Sequence, residues 1–578
     1  MSVLGTFDPL EGQQEIEPGK RLIKVGDDRG VSLAERLAYR LHRLAWRTPV
    51  HSFRLRGRFP LKLLVVPKDP IAGDKAIGEA MLLGSLVHGN ESHPIDRLQF
   101  ADPNFSPEYC DYTQSFAWLR DLAAAAPREK GDKIAEKLMR KWLAAHADQL
   151  SERGWRADIW ARRILFIAAY APYVLASKDL VYRSSVLNAL ARGARHLDKS
   201  ADKAQPGLPR ITAWSGVIAA ALVIQGGPAR LNRGESGLLR TLHASLHDDG
   251  GLVSRSPVEQ VKLVELLGQL RAVYYAARRD LPDELAETLA STVSALLATT
   301  LGDEALSSWQ GGNMLSRRRV AAAVEGSGVT TRPLRQARGW GYQRLAARTS
   351  VAVFDCAPPP ASRALTGGCA STLAFEFGDG AHRLIVNCGG AGEGGVLPAE
   401  LALGLRTTAA HSTLTLGDRN STAVHEDGTL GKGVGQVELS RDESDGTTSV
   451  EASHDGYVRR FGYVHQRKLV LKADGTELAG EDALVPQGRR RRAGTPYAVR
   501  FHLHPSVEIT STADGQGAIL RVRGGSAWQF RCSGGRLAVE DSLWVDGSAR
   551  PVGSQQLVVG GDTAADGANI TWSLKKAA

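Results

Sequence analysis

Residues 406–418 read RTTAAHSTLTLGD, and the reading of this stretch decides the fold. A single histidine, His411, precedes an alternating Ser-Thr-Leu-Thr-Leu run, the pattern of a β-strand with a polar group at its mouth. On that pattern Leu414 and Leu416 face a core, and Thr413 and Thr415 face outward. His411 has two readings: a structural hydrogen-bonder, or a group that moves a proton.

Downstream and around it the chain is written in short strands. Residues 373–377 alternate and turn at Gly378-Asp379-Gly380 into 383–387; 469–471 lead into Ala473-Asp474-Gly475 and a returning strand. Segments 499–504, 518–523, 528–531, 556–559 and 570–574 continue in the same manner. Many short strands with Gly-rich turns indicate a large antiparallel β-sandwich. Upstream the period changes. Helices are expected over 113–125, 128–146, 157–176, 178–198, 211–225, 231–246, 257–279 and 283–301, with Pro or Gly in most gaps. Residues 159–175 and 211–224 are apolar on more than one face, which suits helices packed between neighbours on both sides. Residues 302–348, rich in Gly and Arg, form the transition. The expected class is α+β and multidomain, helices first and strands second.

A chain of 578 residues is too long for one core. Its leader, 1–95, contains Leu33, Leu37, Leu41 and Leu44 at helical spacing beside Arg36, Arg40, Arg43 and Arg47. Such a helix either presents a solvated basic stripe or makes peripheral contact with an anionic membrane. No run of about 18 apolar residues predicts a spanning helix. The first twenty residues lack the basic start and apolar centre of a secretory signal. The cysteines (Cys110, Cys356, Cys369, Cys388, Cys532) are scattered, with no CxxC, so neither a disulfide framework nor a zinc ribbon is expected. A net charge of +10 suits an anionic partner. The four arginines 489–492 read as an exposed hairpin tip, but no aromatic-interleaved module surrounds them, so nucleic acid is not the expected partner.

Five segments, taken in order, resemble the heparinase II/III-like family: DDGGLVSRSP (248–257), SSWQGGN (307–313), GYQRL (341–345), RTTAAHSTLTL (406–416) and EASHDGYVRRFGYVHQRKL (451–469). The resemblance implies an N-terminal incomplete α/α toroid over 96–330, followed by a C-terminal antiparallel β-sandwich over 331–578. It further implies a polysaccharide lyase that cleaves an acidic, uronate-containing glycan by β-elimination. The alternative is a non-catalytic glycan-binding or envelope polysaccharide-assembly protein on the same scaffold. Family members usually work in the periplasm or cell envelope; with no export signal here, the cytoplasm is the alternative.

β-Elimination needs positive charge or hydrogen bonds at the uronate carboxylate, a base for the C5 proton and an acid for the departing oxygen. His411 matches the family's sandwich histidine and is the first catalytic candidate. Tyr342 and Tyr457, phenols in family-like motifs, are candidates for acid or base, with a buried structural tyrosine as the other reading of each. Arg406 either neutralises a carboxylate through its fork or bridges strands. Asp249 and Arg255 lie where a helix begins at Ser256-Pro257, either an anion or sugar site or simply a helix cap with Pro at its first position. Trp309, beside Asn313, is the tryptophan best placed by sequence to stack on a sugar; Trp155, Trp160 and Trp340 are weaker candidates.

Two departures stand out. Where many members have Ser-Pro-x-Tyr-His, this chain has Ser256-Pro257-Val258-Glu259-Gln260, which puts Glu259 in the tyrosine position. The segment comparable to an earlier Asn-His pair is Gly207-Leu208-Pro209-Arg210. Glu259 is then the candidate base and Arg210 the candidate neutraliser; Asp249 with Glu259 is the one pair that would suit a hydrolase. The chemistry requires no cofactor. The resemblance also suggests a structural zinc or calcium ion held by Asp427 and His454, two ligands where zinc takes four and calcium six or more.

Overall fold

The computed structural model describes residues 13–17, 19–24, 55, 57, 59–60 and 62–577, apart from 148, 225–226, 362–364, 366, 391–396, 445 and 488–492. The amphipathic leader stretch 31–47 and the four arginines 489–492 lie outside the described residues.

The helical half follows the periodicity closely. Leu208–Val223 is buried along almost its whole length from Ile211 onward and packs against Ala157–Ala169, Gly227–His243 and Pro257–Ala276. A helix apolar on all sides belongs at the centre of a layer, and here it is. Helix starts carry the expected caps. Asp179 accepts from the N–H groups of Val181 and Tyr182, and Ser256 accepts from that of Glu259 with Pro257 at the first position. The helix expected over 113–125 is two, Pro107–Ser115 and Trp118–Ala125, because Phe116 turns left-handed between them. Lys75–Leu82, the short Glu152–Trp155 and Arg317–Ser327 are helices outside the expected ranges. No helix among the described residues is long and apolar enough to cross a membrane.

The strand half is two antiparallel sheets face to face. The larger runs Gln13–Glu17, Lys20–Lys24, Gln436–Ser444, Thr447–His454, Tyr463–Lys472, Glu477–Pro486, Ala568–Lys576, Trp528–Ser533, Gly517–Val522, Val507–Ser511. The smaller runs Arg536–Val545, Pro551–Asp562, Pro496–Leu503, His382–Val386, Phe375–Asp379, Ser350–Asp355, Tyr342–Ala347, with Leu414–Leu416 paired to Pro496–Leu503. Tyr463–Lys472 alternates buried and half-buried residues along its length, as a strand with one covered face should.

The leader expected over 1–95 is not a unit of its own in its described part. Lys20–Lys24 adds to the larger sheet against Gln436–Ser444, while Lys75–Leu82 packs on Trp118–Ala125 of the helical half. Both attachments are long-range, and sequence periodicity does not report such pairings. The decisive strand also differs from its expected facing. Leu414 and Leu416 are buried, but so are Thr413 and Thr415, because the strand is covered on both faces and their hydroxyls reach the carbonyls of Thr372 and Ala498.

Candidate functional site

The toroid meets the sandwich through Arg383, paired with Asp303, and through the more enclosed ion pair of Arg255 with Asp355. Arg255 sits in the left-handed region (φ 54°) immediately before the helix Pro257–Ala276. A non-glycine residue there is strained, and four contacts hold it. Its Nε donates to the Trp340 carbonyl at 2.9 Å, one terminal nitrogen to the carbonyls of Ala357 and Pro358, and the other to Asp355 at 2.5 Å. Burial works against its charge, but Asp355 more than offsets this and holds the guanidinium above its ordinary pKa. Tyr342 lies beneath, its ring 4.8 Å from the Arg255 guanidinium and its hydroxyl donating to the Arg255 carbonyl at 2.8 Å. Trp309 and Trp340 flank that ring at 5.4 and 5.1 Å. Asp249 accepts the backbone N–H groups of Gly339 and Trp340, and Gly251 is obligatory, since a Cβ there would stand 2.1 Å from the Trp340 ring.

These contacts correct several expectations. Arg255 and Asp249 fasten the two halves together instead of facing a substrate. Tyr342 has its proton committed to a carbonyl, and burial raises its pKa well above the phenol range. Trp309 is buried and donates to the Ser307 hydroxyl, and Trp155, Trp160 and Trp340 are buried too, so none offers a face to a sugar. Asn313 is 1 % exposed, its amide donating to the Asp546 carbonyl. The common reason is that an α/α layer docked on a sandwich leaves irregular loops between them, and their backbone groups need side-chain partners.

His411 follows the short turn Thr408–Ala410 on the sandwich side. Its Nδ1 donates to the Thr407 carbonyl at 2.7 Å, leaving Nε2 as an acceptor with no hydrogen-bond partner among the described residues. Burial pushes its pKa down to about 4, against the raising effect of Thr407 and Asp355. It is therefore a neutral imidazole with an available lone pair. The neighbouring Ser412 is locked in place: its hydroxyl donates to Val386 and its N–H to Asn387.

Arg406 is not available to a carboxylate. Its guanidinium donates to the carbonyls of Gly368, His425, Gly428 and Thr429, a plug in the 425–429 turn. Tyr457 donates to the Leu414 carbonyl at 2.9 Å and is buried. Arg210 donates to the Ala204 carbonyl beside its own helix. Glu259 is half-buried, its pKa raised by burial and eased downward by Ser254 and Lys262.

The cation pair does not assemble. Asp427 is exposed and its Oδ1 accepts from the N–H and hydroxyl of Thr429. His454 is buried, with Nδ1 accepting from the Gly456 N–H and Nε2 3.3 Å from His465. Both ring nitrogens of His454 are engaged, and the described residues hold no group of three or more His, Cys, Asp or Glu placed to share a metal. What sequence did not reveal is the relay behind His454. His465 bonds Asp482 at 2.8 Å, and Asp482 also accepts from Arg467 and Trp572, all within the closed sandwich. The alternation of His465 and Arg467 along one strand was the available signal.

A pocket of about 1140 Å³ opens in the sandwich between the 419–436 loop, the 455–461 turn and Pro359-Pro360-Ala361. Of the sequence-predicted site residues only Tyr457 lines it.

Comparison with known proteins agrees with this architecture. Residues 329–573 match the family model described as "Heparinase II/III-like, C-terminal". A relative in Caulobacter vibrioides (strain NA1000 / CB15N), FtsZ-localized protein C, is 30 % identical over 531 residues, 88 % of this chain and 89 % of that protein. The crystal structure of heparinase III superposes with a TM-score of 0.66 at 13 % identity, covering 98 % of this chain and 93 % of that one. Heparan sulfate lyase HepC from Pedobacter heparinus gives 0.57 at 14 %, over 93 % and 87 %. Such identities speak for the fold alone: an incomplete toroid and an antiparallel sandwich, the architecture of polysaccharide lyases. The chain belongs to the heparinase II/III-like family.

Proposed function

We propose that this protein binds an anionic glycan on a lyase fold without cleaving it. The observation that carries the reading is the commitment of the proton-transfer and charge-neutralising candidates to the fold. The hydroxyls of Tyr342 and Tyr457 donate to the carbonyls of Arg255 and Leu414, and the guanidiniums of Arg255 and Arg406 are taken up by carbonyls and Asp355. An eliminating enzyme needs a donor aimed at the carboxylate and an acid at the leaving oxygen. The resemblance puts Glu259 where the family's tyrosine stands, and Arg255 and Arg406, the guanidiniums proposed for the carboxylate at the joint, are both taken up by the fold. The basic balance of the chain supports an acidic polymer as ligand.

The relative in Caulobacter is named for its localisation with FtsZ, and we extend that placement to this chain, so that it acts where FtsZ is. Co-sedimentation of the purified protein with FtsZ polymers tests this; a protein that stays in the supernatant sinks it.

A second reading, elimination, is favoured by the free Nε2 of His411 and by Glu259, whose pKa burial raises. One experiment separates the two. The protein and its His411→Ala variant are mixed with heparan sulfate, chondroitin sulfate and alginate, and ultraviolet absorbance of unsaturated uronate is followed alongside calorimetric binding. Binding with flat absorbance is expected. Absorbance that rises with the parent and not with the variant would overturn the non-catalytic reading.

A further inference from the structure

The sandwich pocket is a separate feature from the joint. Every residue lining it lies at position 359 or beyond, so the helical half contributes nothing to it. Four cations line it, Arg419, Lys432, Arg459 and Arg460, against one carboxylate, Asp455, a balance of +4 − 1 = +3. That carboxylate is already engaged, its Oδ1 accepting from the N–H groups of Gly435 (2.8 Å) and Gln436 (3.2 Å). None of the four cations has an acidic partner among the described residues.

Some exposed arginines elsewhere find carboxylates, Arg140 with Glu136 and Asp179, Arg317 with Glu304 and Arg550 with Asp546, while others, such as Arg523 and Arg536, have no acidic partner among the described residues. A solvated basic face would be the ordinary reading of four unpartnered cations. It does not suit cations drawn from three separate stretches of chain onto one concavity with braced walls. Asp455 staples the 435–436 strand entry to the 455 turn. Tyr457, in that turn, is pinned by its hydroxyl to Leu414, and Gly456 packs so close to the Ser421 carbonyl that a Cβ would stand 2.6 Å from it. Tyr457 and Phe461 back the wall from beneath and are buried, so the charged side chains are what the pocket presents.

The ligand follows from charge density. A uronate glycan spreads its carboxylates one to a sugar and would run out of a pocket this size before matching three positive charges. A phosphate monoester brings about −1.5 to −2 in a single group, and guanidinium forks pair with it bidentately. We infer that this pocket binds a compact oligophosphate group, the pyrophosphate or triphosphate of an ester. The same chemistry has two sources, a soluble nucleotide-like ester or the pyrophosphate of a lipid carrier.

The test is calorimetric titration of the full chain at neutral pH with sodium pyrophosphate, with citrate as a tricarboxylate of closely similar charge. One saturable site is expected, weakening with salt and tighter for pyrophosphate than for citrate. The double substitution Arg459→Gln/Arg460→Gln should weaken it about tenfold, since exposed pairs contribute up to about 1 kcal/mol each. Arg531→Gln, an exposed arginine paired with Asp514 in another part of the sheet, should leave it unchanged. Absence of saturable heat, equal affinity for citrate, or a double variant that binds as the parent does would each overturn the inference. All three substituted residues are on the surface, and thermal melts verify that the variants fold. Flotation with phosphatidylcholine vesicles, with and without polyprenyl pyrophosphate, assigns the source: pyrophosphate-dependent flotation that the double variant loses points to the lipid carrier, and none points to the soluble ester.

Discussion

The two halves of this protein each enclose one arginine completely, and hold its charge differently. In the helical half Arg163 is 0 % exposed and has no carboxylate beside it among the described residues. Its N–H groups donate to the carbonyls of Gln114 and Gly154, and its guanidinium lies 4.2 and 4.4 Å from the rings of Trp142 and Trp160. In the sandwich Arg467 is equally buried but is forked onto Asp482, which also holds His465 and Trp572. Helices satisfy their own backbone except at their ends, and Arg163 finds its carbonyls at such ends. Arg467 lies between the sheets, where it reaches the carbonyls of Leu373 and Ser412 and takes its charge partner from a side chain. The setting is local to each arginine: Arg120 of the helical half is paired with Asp69, and Arg406 of the sandwich is held by carbonyls alone.

That contrast predicts where the molecule breaks most easily. Asp482→Ala would leave Arg467 and His465 uncompensated in the closed sandwich, at a cost of about 3–5 kcal/mol. Denaturant unfolding followed through the fluorescence of the strand half should show its midpoint fall far more than that of the helical signal. Equal shifts of both signals would mean that the halves unfold as one unit and that the contrast has no energetic separation.

Arg255→Ala acts at the joint. It removes the charged partner of buried Asp355 and frees the carbonyls of Trp340 and Pro358, while that of Ala357 keeps the Thr372 hydroxyl. The loss is again on the order of 3–5 kcal/mol, but it should appear as uncoupling, one calorimetric transition becoming two. Lys in place of Arg255 should not restore the coupling, since an ammonium cannot reproduce the fork that serves three carbonyls and a carboxylate.

Acid should separate the halves further. Burial holds His411 at about 4, His502 at about 3 and His504 at about 4 in the sandwich, and pushes His454 and His465 down as well. The helical half has His146, at about 4, and His247, also lowered. These groups refuse in the folded state protons that they accept near pH 6.5 when unfolded, so stability is intact above that pH and falls as pH drops toward 4. Glu376 opposes them. Burial raises it to about 7, so its contribution is present at low pH and is lost as pH rises through 7. One carboxyl does not balance five histidines, at a limiting slope of about 1.4 kcal/mol per pH unit for each. From pH 7 to 5 the sandwich transition should move down in temperature more than the helical one; a larger helical shift would reverse the comparison.

The same division explains what sequence could disclose. Helix positions such as those within 208–223 were legible because burial on every side leaves a continuous apolar run, and the strands because alternation and Gly turns survive without context. The motif around His411 gave the family. It did not give the roles of Arg255, Arg406, Tyr342 or Trp309, because whether a guanidinium or phenol faces a ligand or a backbone carbonyl is fixed by loops brought together from a hundred residues away. Arg255 meets Asp355 across 100 residues, and Trp309 meets Tyr342 from a separate element of the chain. The cationic pocket was hidden for the same reason: Arg419 and Lys432 stand well before Arg459 and Arg460 in the chain. The Arg459-Arg460 doublet and the alternating glycines of GKGVG (431–435) were its only local traces.

The smallest expected effect bears most directly on function. Tyr342→Phe removes one hydroxyl from the joint, and Tyr457→Phe removes one from the sandwich; each gives up a buried hydrogen bond to a carbonyl, at Arg255 and Leu414. Deleting the donor and leaving the acceptor costs about 1–3 kcal/mol. If both phenols are structural, both variants should lose stability to a similar degree while glycan affinity stays as in the parent. A catalytic phenol behaves differently, because its loss falls on turnover and its folding cost is incidental. The pair therefore sharpens the comparison between the halves: a change in glycan handling confined to Tyr457→Phe would move the working chemistry into the sandwich, and one confined to Tyr342→Phe would return it to the cleft between sandwich and toroid.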